Sequence, residues 1–106
     1  MEEGEGGGEV SINRDRGKRA ERAVAEMIHG KRVGTMGGED VYHQDFSVEV
    51  KSRVSFVGEK FMAQAERNCK GKRTPIAVVH LQGKPHNKDI VMIRMEQWIA
   101  WMGDNL

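Results

Sequence analysis

Glu49 and Lys51 stand two residues apart at the end of the run Asp40-Val41-Tyr42-His43-Gln44-Asp45-Phe46-Ser47-Val48-Glu49-Val50-Lys51. Phe46, Val48 and Val50 alternate with Ser47, Glu49 and Lys51, the period of a strand with one buried face. Glu49 and Lys51 therefore project from the same side, about 6–7 Å apart along the strand. A carboxylate there can hold a divalent metal while the ammonium stands over the same reaction space, and Asp40 upstream supplies a second carboxylate. Phosphodiester hydrolysis asks for such a set, because a water must become nucleophilic and charge must be stabilised on the phosphate. One or two Mg²⁺ ions do both, held by hard oxygen ligands. Asp40 and Glu49 are the natural ligands, the Val50 carbonyl can complete the shell, and Lys51 can orient the water or stabilise the pentavalent phosphate. A solvated strand also alternates Glu with Lys, and an isolated E-x-K favours that plainer reading.

A hairpin would bring the two acids together. With strands over 40–43 and 46–51 and Gln44-Asp45 as a two-residue loop, positions summing to 89 face each other, and Asp40 lies opposite Glu49. Their Cβ atoms would be about 4.5–5.5 Å apart. Gln-Asp is not a favoured tight-turn pair. Asp45, at the turn, is a rival ligand ranked behind Asp40, and His43 reads as a partly exposed strand histidine.

The remaining elements must position this hairpin. Residues 1–11 read as a flexible, acidic, glycine-rich tail, and residues 12–106 as a single domain. Ser11 or Asn13 can cap a helix running to about His29, with Gly30 as its stop and Ala20, Ala23, Val24, Met27 and Ile28 as its apolar stripe. Glu21 falls on the edge of that stripe, where a neighbouring base or a water-bridged metal could partner it. A short strand, Lys31–Thr35, comes next. Beyond the hairpin a helix spans Val57–Lys70, a continuous apolar strand Ile76–Leu81 reads as central and buried, a strand covers Ile90–Arg94, and a last helix covers Met95–Met102. The expected class is α/β, a mixed β-sheet with flanking helices.

Composition narrows the field. Charged residues make up 31% and apolar residues 38%, and no apolar run approaches the length of a membrane span, so no membrane partner is expected. Cys69 is the one cysteine and no signal-peptide layout is present, which together fit a reducing cytoplasm. Without Glu2, Glu3, Glu5 and Glu9 the chain carries 17 basic and 12 acidic side chains, a net charge of +5. The bases cluster at Arg14–Arg19, Lys31-Arg32 and Lys70–Arg73, patches that can neutralise phosphates. His29, His80 and His86 show no zinc-like spacing with Cys69 or with one another, and His80 reads as a hydrogen-bonded core histidine. Trp98 and Trp101 read as core or dimer contacts.

Taken together, Arg16-Gly17-Lys18-Arg19-Ala20-Glu21-Arg22-Ala23-Val24-Ala25, Gly38-Glu39-Asp40-Val41, Val48-Glu49-Val50-Lys51-Ser52-Arg53 and Gln64-Ala65 resemble the PD-(D/E)XK nuclease superfamily. More narrowly, they resemble archaeal-type Holliday junction resolvases and their phage relatives. The resemblance spans residues 14–65, about half the chain. It implies a restriction-endonuclease-like core, a nuclease domain over 12–106, and a homodimeric endodeoxyribonuclease that cuts four-way junctions with Mg²⁺, Mn²⁺ being the alternative ion. A phage-encoded enzyme of this kind would work in the host cytoplasm. The resemblance assigns metal binding to Glu21, Asp40 and Glu49 and catalysis to Lys51, and it places Gln64 near the site. Arg14, Arg16, Lys18 and Arg19 match the segment that meets the DNA backbone, and Arg53 follows the E-x-K strand. Two departures stand out: Glu39 precedes Asp40 where the family has proline, and the Asp40–Glu49 spacing is shorter than in the archaeal enzymes. A nicking or restriction-like nuclease and a non-catalytic DNA-binding module are the alternative functions.

Overall fold

The computed structural model describes residues 3–34 and 38–106, with side chains at 12, 14–34 and 38–106. The chain is a mixed α/β protein that divides into two compact units, Met1–Arg53 with Leu106, and Val54–Asn105. The sequence reading expects one domain over 12–106.

In the first unit, helix α1 (Glu3–Ile28) precedes strands β1 (Lys31–Arg32), β2 (Val41–Tyr42) and β3 (Ser47–Val48). The helix begins at Glu3, so residues 3–11, expected as a tail, are helical. Glycine propensity offers no reason for this, since each helical glycine costs about 1 kcal/mol against alanine. Propagation from the amphipathic segment behind it is the available cause, because extending a helix is far cheaper than nucleating one. At the other end, His29 N–H donates to Glu26 O at 3.4 Å and Gly30 N–H to Ala25 O at 2.8 Å, a Schellman arrangement. The left-handed residue is His29 (φ 59°), where the sequence suggests Gly30 as the stop. Gly30 is needed for another reason: a Cβ there would stand 2.6 Å from the Tyr42 carbonyl oxygen. Helix α1 can thus turn directly onto β2.

The three strands form an antiparallel sheet in the order β1-β2-β3. Val41↔Val48 and Tyr42↔Ser47 are partners, so the hairpin register summing to 89 is present. The loop is the expected pair Gln44-Asp45, with reciprocal His43–Phe46 backbone bonds of 3.2 and 3.3 Å. Regular pairing is shorter than expected in β1, β2 and β3, and residues 35–37 of the expected first strand and the glycine-rich loop behind it lie outside the described residues. Val41 and Ile28 are almost fully buried. Burying each contributes about 1.5–3 kcal/mol, which fixes α1 on the sheet.

In the second unit, helix α2 (Gly58–Asn68), β4 (Ala77–Val79), β5 (Ile90–Met92) and α3 (Met95–Met102) follow, with β4 and β5 paired antiparallel. The expected single mixed sheet is therefore replaced by two small antiparallel ones. Each pairs strands adjacent in the sequence through short connections, which permit antiparallel pairing only. The apolar run at β4 is not a buried central strand: Ile76, Val78 and Leu81 are exposed. Directly opposed residues share a face. Val78 opposes Val91, so these two form an open apolar face, and Met92, on the other face, lies towards Gly58 at the start of α2.

Candidate active site

Asp40 sits immediately before β2, the central strand of the first sheet. On one side Val33 N–H donates to the Asp40 carbonyl at 3.1 Å; on the other, Asp40 N–H donates to Val48 O at 2.9 Å. Its side chain bridges to the third strand segment, where Asp40 Oδ2 accepts the Val50 N–H at 2.8 Å. Bond geometry then places that carboxylate oxygen no more than about 5 Å from the Glu49 Cα. The paired register ends at Val41↔Val48, and beyond it this hydrogen bond holds Asp40 near Glu49. Asp45, at the turn, is four residues from Glu49, about 13 Å along an extended strand. Proximity to Glu49 therefore favours Asp40 over its rival.

Glu49 Oε2 lies 2.9 Å from Lys51 Nζ, with both side chains more than half exposed. The expected same-face projection is present. A shallow hollow of about 420 Å³ adjoins this pair, lined by Val33, Gly38, Glu39, Ser47, Val48 and Glu49. Ser47 Oγ donates to Glu39 Oε1 at 2.5 Å across its rim. Glu39 and Ser47 are not among the site residues that the sequence suggests. The signal was available: Ser47 has the same strand parity as Glu49, and Glu39 adjoins Asp40. Asp40, Glu49 and the Val50 carbonyl offer only oxygen ligands, which suit a hard cation such as Mg²⁺ better than a softer metal.

Glu21 is tied down differently. Arg32 Nε donates to Glu21 Oε1 at 2.8 Å, with both side chains largely covered. Arg32 faces Val41 across the β1–β2 pair, so this ion pair belongs to the helix-covered face of the sheet. By strand alternation Ser47 and Glu49 belong to the other face. The partner is thus a base, on the next strand. The buried side of α1 also differs from the expected stripe: Ala25 and Ile28 are buried, while Met27 is half exposed. Arg14, Lys18, Glu21, Ala25 and Ile28, at steps of four and three, make one helical side.

His43 is 6% exposed, not a partly exposed strand histidine. Its Nδ1 accepts the Asp45 N–H at 3.0 Å, and its ring stands against Phe46 with centroids 5.3 Å apart. An accepting Nδ1 puts the proton of the neutral ring on Nε2. This side chain supplies the support that Gln-Asp lacks as a turn pair.

Arg14, Arg16, Lys18 and Arg19 lie along α1, and Arg53 ends the first unit. Because the helix begins at Glu3, these bases are not at its N-terminus, and free backbone N–H groups there cannot assist them. Gln64 lies on α2 in the second unit and is exposed. In that unit Arg94 spans Glu59 (3.1 and 2.5 Å) and Glu66 (2.9 and 3.3 Å). Those hydrogen bonds hold both carboxyls below their ordinary value of 4.5 and push the Arg94 guanidinium up. Among the described residues no helix is long and apolar enough to cross a membrane. No family model, curated protein or solved structure matches the chain.

Proposed function

We propose that this chain is a Mg²⁺-dependent endodeoxyribonuclease of the PD-(D/E)XK type that resolves four-way DNA junctions. The supporting observation is the Asp40–Val50 hydrogen bond, which holds Asp40 near Glu49, with Lys51 ion-paired to Glu49. Asp40, Glu49 and the Val50 carbonyl would hold the ion, with Mn²⁺ as its substitute, and Glu21, across the sheet beside Arg32, would contribute its charge at a distance rather than as a ligand. A bound Mg²⁺ supplies charge for the phosphate and a more acidic water. Lys51 orients that water or meets the developing charge, while the Asp40–Val50 hydrogen bond keeps one carboxylate aimed across the strands. The α1 bases with Arg53 would meet DNA phosphates.

Two coordinated cuts need two sites, so the active species is a homodimer. The open apolar face of the second unit supports this reading, with Val78 and Val91 exposed and Trp101 79% exposed nearby in sequence. The test is incubation with labelled four-way, Y-shaped and linear DNA, with and without Mg²⁺. Cleavage confined to the four-way substrate and to Mg²⁺ is expected. Binding without cleavage would identify a DNA-binding module, and equal cutting of linear duplex a nicking nuclease.

A further inference from the structure

The second unit brings together three metal-ligand side chains that take no part in the proposed nuclease site. In the β4–β5 pair, Val79 faces Ile90. One step further, the same register sets His80 opposite Asp89. The intervening loop bends back: Lys84 N–H donates to Leu81 O at 3.1 Å, and Gly83 adopts φ +85°. A single 3₁₀ turn, His86–Lys88, follows Pro85, closed by Lys88 N–H to Pro85 O and Asp89 N–H to His86 O, both 3.0 Å. That turn carries His86 over the strand end.

The side chains converge as a result. His80 Nδ1 is 2.7 Å from Asp89 Oδ1, and His86 Nδ1 is 3.0 Å from Asp89 Oδ2. The two imidazoles stack with centroids 4.0 Å apart. One ligand atom from each of the three residues lies within 4.8 Å of the others. In a tetrahedral zinc site, bonds of about 2.0–2.1 Å leave ligand atoms roughly 3.3 Å apart, so small side-chain rotations would close these atoms on an ion. Asp89 is only 13% exposed, and its carboxylate gathers both rings before any metal arrives.

We propose that His80, His86 and Asp89 form a binding site for a borderline divalent transition metal of the Zn²⁺ class. Two imidazoles and one carboxylate suit Zn²⁺, Co²⁺ or Ni²⁺, whereas Mg²⁺ prefers an all-oxygen shell. Three protein ligands leave a fourth position for water. With a single carboxylate the loaded centre keeps one positive charge, which also admits an anionic oxygen there. The site is independent of Asp40 and Glu49.

The experiment is titration of the full-length chain with Zn²⁺ by calorimetry, and with Co²⁺ by visible absorption. One ion per chain is expected, with a tetrahedral Co²⁺ band that survives in the Glu49→Gln and Cys69→Ser variants. His86 is 80% exposed, so His86→Ala should fold normally while weakening Zn²⁺ by about 100-fold or more. His80→Ala should do the same, and His29→Ala should not. Unchanged Zn²⁺ affinity in both His80→Ala and His86→Ala would overturn the proposal, as would loss of the Co²⁺ band in Cys69→Ser.

Discussion

Asp40 and Val50 are joined by a carboxylate-to-amide hydrogen bond of 2.8 Å, so one side chain ties the entry of β2 to the E-x-K segment. The same residue has two roles with different chemical demands: an acceptor for the fold, and a charge for a metal. Asn can accept the Val50 N–H but cannot offer an anionic ligand. Asp40→Asn should therefore melt close to the parent, whereas Asp40→Ala should lose about 1 kcal/mol, the typical net worth of such a bond. Both should abolish Mg²⁺-dependent cleavage. Thermal melts beside a cleavage assay check this, and substantial cutting by Asp40→Asn would remove Asp40 from the metal site.

Lys51 separates a catalytic pair from an ordinary surface one. Its ion pair with Glu49 is well exposed, and such pairs contribute about 0–1 kcal/mol. Lys51→Met should leave stability within that margin and preserve junction binding, because affinity rests on phosphate contacts elsewhere. The single-turnover cleavage rate should fall by about 10²–10³, the scale of losing a charge-stabilising donor. A loss below tenfold would return Glu49 and Lys51 to a solvated strand face.

The hairpin was legible because period-two alternation and a two-residue loop are local signals, and together they determine a register. The partner of Glu21 was not, since Arg32 reaches it through the packing of β1 on α1, which no local spacing encodes. The same limit hid the histidine cluster. His80 and Asp89 meet only through β4–β5 pairing, and His86 only through a 3₁₀ turn, so their spacing resembles no compact zinc motif. The continuous apolar run at β4 reads as a central, buried strand, yet Val78 is exposed. Patterning reports what a strand could cover, not whether something covers it.

Glu21 should show a mixed phenotype. Removing its charge leaves a largely covered Arg32 without its ionic partner, at a cost of about 1–3 kcal/mol. On the helix-covered face, across the sheet from Glu49, its charge reaches the proposed ion only at a distance. Glu21→Gln should therefore lower stability measurably while reducing cleavage less than Glu49→Gln does at a temperature where both are folded. Equal loss of cleavage in the two variants would make Glu21 a direct ligand that exchanges Arg32 for metal.

Within α1, Arg14 and Lys18 continue the side that bears Glu21, Ala25 and Ile28, whereas Arg16 lies about 160° from Arg14 around the helix. The first pair thus lies on the side of α1 that meets the sheet, in line with Glu21 and its partner Arg32. Arg14→Gln with Lys18→Gln should weaken binding to every DNA shape and flatten the dependence on log salt by up to about two phosphate equivalents. Arg16→Gln with Arg19→Gln should do less. Equal effects would mean that charge alone, and not helical side, governs the contact.

Acid sensitivity of the second unit should trace to Arg94. Its hydrogen bonds keep Glu59 and Glu66 below 4.5 in the folded chain, so the unfolded chain binds their protons more readily. Stability from these contacts is therefore complete above pH 4.5 and is lost as the pH falls through the lowered folded values. Both tryptophans, Trp98 and Trp101, lie on α3, so their fluorescence reports this unit. Urea midpoints should drop between pH 7 and pH 3, and Arg94→Met should shrink that drop by lowering the pH 7 value. All three groups are solvent-accessible, so the effect should also weaken with added salt. An Arg94→Met midpoint that falls as steeply with acid as the parent's would assign the sensitivity to other carboxylates.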